Sequence, residues 1–530
     1  MSVAATKHTV ECPPAGGRRF SRRFATRAAL AVGLSGLAGV ASRGVTGAQA
    51  TTSSAAAGID VAAIDDFVRR AMATYRVPGA AVAVVLAGGV ALARGYGVRS
   101  TGGRDPVDEH TVFQLASNSK PFTAAGLASL VDEGRLGWDD PVARYLPEFV
   151  LFDPYATHYA TIRDLLAHRT GLPAFRGDLL GVLGYDRPEI LRRLRFIEPA
   201  TSFRAEALYS NPAYFAAGEV LARLTGAPYE QAIQSRLFDP LGMTRSSPAT
   251  AVTPGEGNVS NHHAEIDGAV RVVPRDDSSA FCAAGGLVST AADLATWMRM
   301  HLAGGEAGGR RLLSPETVAD LFRPSMVGRP TFSEFPPIDE HAGFGYGLGW
   351  ASFHLNGHEV IEKGGALAGV RSVVELVPAL GLGVAVLANL NLTALPEAIR
   401  AFVLAQALGD DGEDWQTAIR RQSQTLLDLV RPETAPADPG PTSLPLDGYA
   451  GAYENDLYGR FVVVADGDGL RLEAGPARYP GTLTHFGYDV FSLGWESATT
   501  APQRMSFLVG PDGQTIGFDT ETLGRFARIS

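Results

Sequence analysis

Only three of the chain's 46 basic residues are lysines: Lys7, Lys120 and Lys363. Every other cation is an arginine. Lys120 stands three residues after Ser117 in FQLASNSKPFTAAG, residues 113 to 126. Arginine keeps its proton inside a protein, whereas lysine gives it up where the surroundings disfavour the charge. On a helix, residues i and i+3 are neighbours, so the amine can reach the hydroxyl. The pair can then act as base and nucleophile: the amine takes the Ser117 proton and the oxygen attacks an acyl carbon. For this the lysine must lose about 3 units from a reference pKa of about 10.4, through burial and a second cation close by. Lys363 is the candidate for that second cation.

Other residues could complete such a site. LYSNPAY contains Tyr209, Ser210 and Asn211. A phenol acidified by neighbouring cations can relay a proton, and the Asn211 amide can hold a substrate amide. EKGGALAGV brings Lys363, Gly364 and Gly365 to the edge of a strand pattern. Two glycines there would let a substrate backbone come close, with a positive charge beside it. Lys363 has a competing use as an ion-pair partner of Glu362. His168, in LAHRTG, reads as a residue that fixes a loop by hydrogen bonding. His262 and His263 lack a third ligand at suitable spacing, so they read as loop residues, and neither a metal nor a cofactor is called for. Cys282, between Phe281 and Ala283, reads as a packed small residue. There is no G-x-S-x-G elbow, which argues against an α/β-hydrolase.

These residues need elements to hold them. Pro121 fits the first turn of a helix, where its missing N–H costs little, so a helix is expected from Ser117 to about Glu133, stopped by Gly134. Ser117 would then lie in the positive field of the helix start. A helix pattern begins near Val61, and two strand patterns meet in a hairpin at Gly88 and Gly89. A mainly helical middle runs to about residue 240. The next helix, STAADLATWMRMHLAGG, has Thr290 and Asp293 spaced as a capping box. GFGYGLGW lacks phosphate-loop spacing and reads as a glycine-rich strand, followed by two more strand patterns up to Asn389. Strands at both ends with helices between them imply one mixed sheet assembled from distant parts, with a helical lobe against it. The domain running over 51–430 is therefore α/β. RPETAPADPGPTSLP, residues 431–445, has five prolines and reads as an extended linker. Residues 446–530 carry short alternating strands punctuated by Asp-Gly, expected to fold as a small antiparallel β-barrel of their own.

The motifs occur in the order of a known family. ASNSKPFTA resembles the nucleophile motif of the penicillin-recognising serine hydrolases: class C β-lactamases, D-Ala-D-Ala carboxypeptidases, D-aminopeptidases and β-lactamase-like esterases. LLAHRTGLP, YSNPAYFAAGEVLARLTG, PLGM, AAGGLVSTAADLA and YGLGW resemble further segments of that family, over roughly residues 59 to 410. The resemblance implies a β-lactamase/transpeptidase-like fold. It also implies Ser117 as acyl-forming nucleophile, Lys120 with Tyr209 as the acid/base pair, and an oxyanion hole from the N–H groups of Ser117 and Ala366. Asn211, Lys363 and Gly365 fall where the family binds substrate. Where the β-lactamases and carboxypeptidases have Lys-Thr-Gly and many of the esterases and peptidases have His-x-Gly, this chain has Lys-Gly-Gly. That departure leaves peptide, amide and ester substrates open, as well as a non-hydrolysing penicillin-binding or sensor role. GYAGAYEN and the strands after it resemble the lipocalin-like barrel appended to some members, which implies a barrel packed against the catalytic domain.

Composition sets the setting. A net charge of -10 gives no electrostatic footprint for nucleic acid. Residues 1–50 follow the plan of an export signal: basic RRFSRRFATR, a short apolar run, and AQA as a small-residue cleavage pattern. The chain is therefore expected to be exported, periplasmic or extracellular, with Arg22-Arg23 pointing to the twin-arginine route. The apolar run is short for a bilayer, so no stable membrane insertion is expected once the signal is gone. Cys12 would leave with it, and Cys282 alone could form no internal disulfide.

Overall fold

The computed structural model describes residues 58–275, 279–327, 344–410, 413–430, 434–467, 469–497 and 502–529. The expected export signal lies outside them. Among the described residues, no helix is long and apolar enough to cross a membrane.

One sheet organises the larger part. Its order is Met326–Val327, Gly345–Tyr346, Ala351–Leu355, His358–Leu367, Val370–Val377, Leu382–Ala388, Gly79–Leu86, Gly89–Gly97. The sheet is indeed built from distant parts, since Gly79–Leu86 pairs with Leu382–Ala388 in the register Ala80 to Ala388. Every pairing in it is antiparallel. Both faces are covered. In the strand GAAVAVVL, Ala80, Val82 and Val84 enter one apolar core and Ala81, Ala83 and Val85 the other. A two-sided burial explains why the strand is apolar at every position rather than at alternate ones.

Helices Val61–Tyr75 and Leu395–Leu408 pack on one face. Asp60 starts the first of them, accepting from the N–H groups of Ala62 at 2.9 Å and Ala63 at 3.1 Å. The opposite face carries the helical lobe, including Ser119–Asp132, Asn211–Thr225, Cys282–Gly285 and Ala291–Leu302. Thr290 caps the last of these, accepting from Asp293 N at 3.1 Å. The reciprocal half of the expected capping box is replaced. The Asp293 carboxylate instead accepts from Arg245 N at 3.0 Å and Ser246 Oγ at 2.8 Å, tying the PLGM segment's exit to the helix start.

Gly451–Arg528 forms a closed barrel of eight antiparallel strands among the described residues. The described part of the proline-rich stretch is strapped onto this barrel rather than standing free. Ser443 N and Oγ both donate to Asp489 at 2.8 Å, and Tyr488 N donates to Pro439 O at 2.9 Å. The barrel interior and the helical lobe share one continuous apolar cluster.

Candidate active site

The chain enters the site through a 3-10 turn, Ala116–Asn118, that leads into helix Ser119–Asp132. Ser117 therefore sits just before the α-helix rather than inside its first turn. Ala116 has φ 51°, a left-handed conformation that costs free energy in a residue with a Cβ and so must be held by its surroundings. The hold is visible. Asn118 Nδ2 donates to Ser372 Oγ at 2.8 Å, and Ser372 Oγ donates to Leu115 O at 2.6 Å. Strand His358–Leu367 lies against the same turn. A Cβ on Gly365 would run into Leu115 O and come within 3.0 Å of Ser117 N. The bare face of Gly365 thus makes room for the chain's own backbone, and it brings the Gly365–Ala366 edge to the serine.

Lys120 is fully buried, and Ser117 is 8% exposed. Lys120 Nζ lies 3.1 Å from Ser117 Oγ, 2.7 Å from Asn211 Oδ1 and 2.8 Å from Ala284 O. One turn on, Thr123 Oγ1 donates to Ala283 O at 2.7 Å. The AAGG stretch therefore acts through its carbonyls, and no side-chain signal could have announced it. Gly218 lets helix Asn211–Thr225 close on it, since a Cβ there would lie 2.5 Å from that of Ala283.

Tyr209 joins the two lysines. Lys120 Nζ stands 4.6 Å and Lys363 Nζ 4.8 Å from the centre of its ring. Lys363 Nζ is also 5.6 Å from the Tyr346 ring centre. Its neighbour Glu362 is bound by Arg400, and successive strand side chains point to opposite faces, so Lys363 is left to the site. His168 brackets Tyr209. Its Nδ1 accepts from Ser210 N at 3.1 Å, its carbonyl accepts from Leu208 N at 2.9 Å, and its ring packs on Tyr209, Tyr214 and Tyr346. Burial, then Lys120 and Lys363, push the His168 pKa well down, which keeps the ring neutral and able to accept.

Asp178 went unnoticed in the sequence. Its Oδ2 accepts from Asn211 Nδ2 at 2.6 Å, so both ends of the Asn211 amide are engaged within the protein. Burial pushes its carboxyl up to about 7, against the opposing pull of Asn211 and Lys120. A lone aspartate in AFRGDLL carries no local pattern that could have revealed it.

The expected bystanders fall elsewhere. His262 and His263 lie on strand His262–Ile266 rather than in a loop, with Nδ1 atoms 2.7 Å from Ala368 O and 2.8 Å from Asn389 O. Among the described residues no cluster of His, Cys, Asp and Glu could hold a metal. Cys282 is buried, and burial pushes its thiol up, away from the reactive thiolate.

Fold and motif order define a class, and comparison with known proteins agrees. The Beta-lactamase family model matches residues 64–409, and a Domain of unknown function (DUF3471) matches 435–527. The chain belongs to the beta-lactamase family of serine hydrolases. It is 27% identical to the Unguisins hydrolase ungD of Aspergillus violaceofuscus, over 77% of each chain. It is 31% identical to Penicillin-binding protein 4 of Amycolatopsis lactamdurans, over 59% of this chain and 81% of that one. In fold it resembles the octameric penicillin-binding protein homologue from Pyrococcus abyssi, at a TM-score of 0.58 and 24% identity, covering 89% of this chain and all, 100%, of that one.

Proposed function

We propose that the chain is an exported hydrolase working through an acyl-enzyme on peptides or amides, with a preference for D-configured or otherwise unusual residues. Ser117 Oγ attacks the acyl carbon. Lys120, assisted by Tyr209, takes the serine proton and returns one to the leaving amine. The N–H groups of Ser117 and Ala366 receive the developing oxyanion. Lys363 offers its charge to a substrate carboxylate, and Asn211 and Gly365 border the same space. The observation that carries this reading is the fully buried Lys120 amine 3.1 Å from Ser117 Oγ. Burying an amine away from water is costly, so an enclosed amine held against a hydroxyl marks a candidate reactive site. The fungal relative's name supports hydrolysis. Export rests on the pattern of residues 1–50.

Ser117→Ala should abolish turnover and covalent labelling by a fluorophosphonate or a penicillin, with the fold retained by circular dichroism. Labelling of the alanine variant at the wild-type rate would place the nucleophile elsewhere. A screen of D-aminoacyl amides, short D-peptides, p-nitrophenyl esters and a β-lactam then separates peptidase from esterase, the second reading, which Lys-Gly-Gly without a threonine hydroxyl keeps in play. Stoichiometric labelling without turnover would indicate a penicillin-binding or sensor protein.

A further inference from the structure

Three hydrogen bonds in a row connect a buried carboxyl to the serine. Asp178 Oδ2 accepts from Asn211 Nδ2 at 2.6 Å, Asn211 Oδ1 accepts from Lys120 Nζ at 2.7 Å, and Lys120 Nζ lies 3.1 Å from Ser117 Oγ. The other carboxylate oxygen, Asp178 Oδ1, is shut off from solvent with no hydrogen-bond partner. An enclosed carboxyl with one oxygen unanswered is costly to keep, so its presence needs a reason.

The asymmetry of the Asn211 amide supplies one. An ionised carboxylate only accepts, so it holds the NH2 end of the amide. The oxygen end is thereby turned to Lys120. A neutral amine has two N–H bonds and one lone pair in a roughly tetrahedral array. With one N–H given to Asn211 Oδ1 and the other to Ala284 O at 2.8 Å, the lone pair is left facing Ser117 Oγ. Reversing the amide would set its NH2 against Lys120, where it would take up the lone pair that the Ser117 proton needs. A protonated Asp178 can donate and so permits that reversal.

We propose that Asp178 is a positioning residue for acylation, fixing the Asn211 amide so that Lys120 presents its lone pair to Ser117. This rests on Ser117 and Lys120 being nucleophile and base. In the step itself the Ser117 hydroxyl proton passes to the Lys120 amine, and the serine oxygen bonds to the acyl carbon as the C=O π pair moves onto the carbonyl oxygen. The new ammonium donates to Asn211 Oδ1 and Ala284 O until the oxyanion re-forms C=O, expelling the leaving amine with that proton. Lys120 and the Tyr458 phenol are the titratable groups coupled to the carboxyl, and Arg176 lies over the Tyr458 ring. Because burial pushes Asp178 up to about 7, acylation should rise as pH rises through that region.

The test is the rate of fluorophosphonate labelling against pH for the full chain, its Asp178→Asn and Asp178→Ser variants, and Ser117→Ala. Asp178→Asn keeps the shape but can face Asn211 with either end. It should label about ten- to a hundredfold more slowly at pH 8, the scale of losing one charge-assisted hydrogen bond, and its profile should lack the rise near pH 7. Asp178→Ser should behave the same way and decides the matter if the asparagine variant fails to fold. A carboxylate that only props up its loop would lower Tm and leave the profile in place. Variants that keep the rise near pH 7 and label within about twofold of wild type would overturn the proposal. So would faster labelling, which would mean that the carboxylate merely loads Lys120 with its proton. Labelling that survives in Ser117→Ala would instead sink the reading of the site on which the proposal stands.

Discussion

At the scale of residues, the two lysines of the site ask for different things. Lys120 is enclosed, with Ser117, Asn211 and Ala284 among its polar contacts. Its proposed work is to accept a proton, which a guanidinium cannot do. Lys120→Arg should therefore be nearly as damaging as Lys120→Ala in turnover and labelling, although it keeps the charge; an arginine variant with most of its activity would show that charge alone suffices. Lys363 is buried against the Tyr209 and Tyr346 rings, and its proposed work is to offer its charge to substrate. Lys363→Ala should cost about ten- to a hundredfold in kcat/KM on substrates with a carboxylate near the scissile bond, and less on neutral esters. Equal losses on both would mean that it acts on Tyr209 or Lys120 instead. Both lysines were legible because lysine is so scarce here that each stands out. Asp178 was not, because the meaning of a carboxylate comes from the amide it meets 33 residues away.

At the scale of elements, the site depends on how strand His358–Leu367 is anchored from behind. Helix Leu395–Leu408 sends the fully buried Arg400 between Glu362 of that strand and Glu375 of Val370–Val377, the latter at 2.9 Å. Removing one member of a buried ionic group leaves the others uncompensated. Arg400→Met should destabilise the fold by about 3–5 kcal/mol in chemical denaturation, a cost set by the two stranded carboxylates. A loss under about 1 kcal/mol would mean that the cluster is solvated or protonated through and through. The helices and strands themselves were readable from periodicity and caps, as with Thr290. Pairings were not: local pattern fixes which residues form a strand, whereas the union of Gly79–Leu86 with Leu382–Ala388 is decided by packing across the whole sheet. Gly365 shows the same limit. It reads as an edge for a substrate, while its bare face is turned to Leu115 and Ser117.

At the scale of the molecule, the barrel was foreseeable as a unit packed on the catalytic domain, but the place it grips was not. It closes on the loop that carries Asp178. Tyr458 Oη accepts from Gly177 N at 3.2 Å, Ala477 N donates to Leu183 O at 2.9 Å, and Arg193 Nη1 donates to Leu457 O at 2.8 Å. Arg176 reaches Thr522 O and, at 2.9 Å, Leu523 O. The Tyr458 phenol is near enough for the Asp178 charge to act on it. The barrel therefore reaches the site through the surroundings of Asp178, although none of Ser117, Lys120, Tyr209 or Lys363 lies on it. A chain ending at Arg431 should still label at Ser117, more slowly, because its loop is no longer clamped. Water admitted around Asp178 would bring its carboxyl down from about 7 toward the ordinary carboxylate range, so the rise of labelling with pH should move to lower pH. Tyr458→Phe, which keeps the barrel and its burial of Asp178, should leave the rise near pH 7. Labelling rates against pH for the three proteins decide this. An unchanged profile in a folded truncated chain would show that the barrel leaves the chemistry alone, and a folded truncated chain that does not label at all would make the barrel part of the site itself.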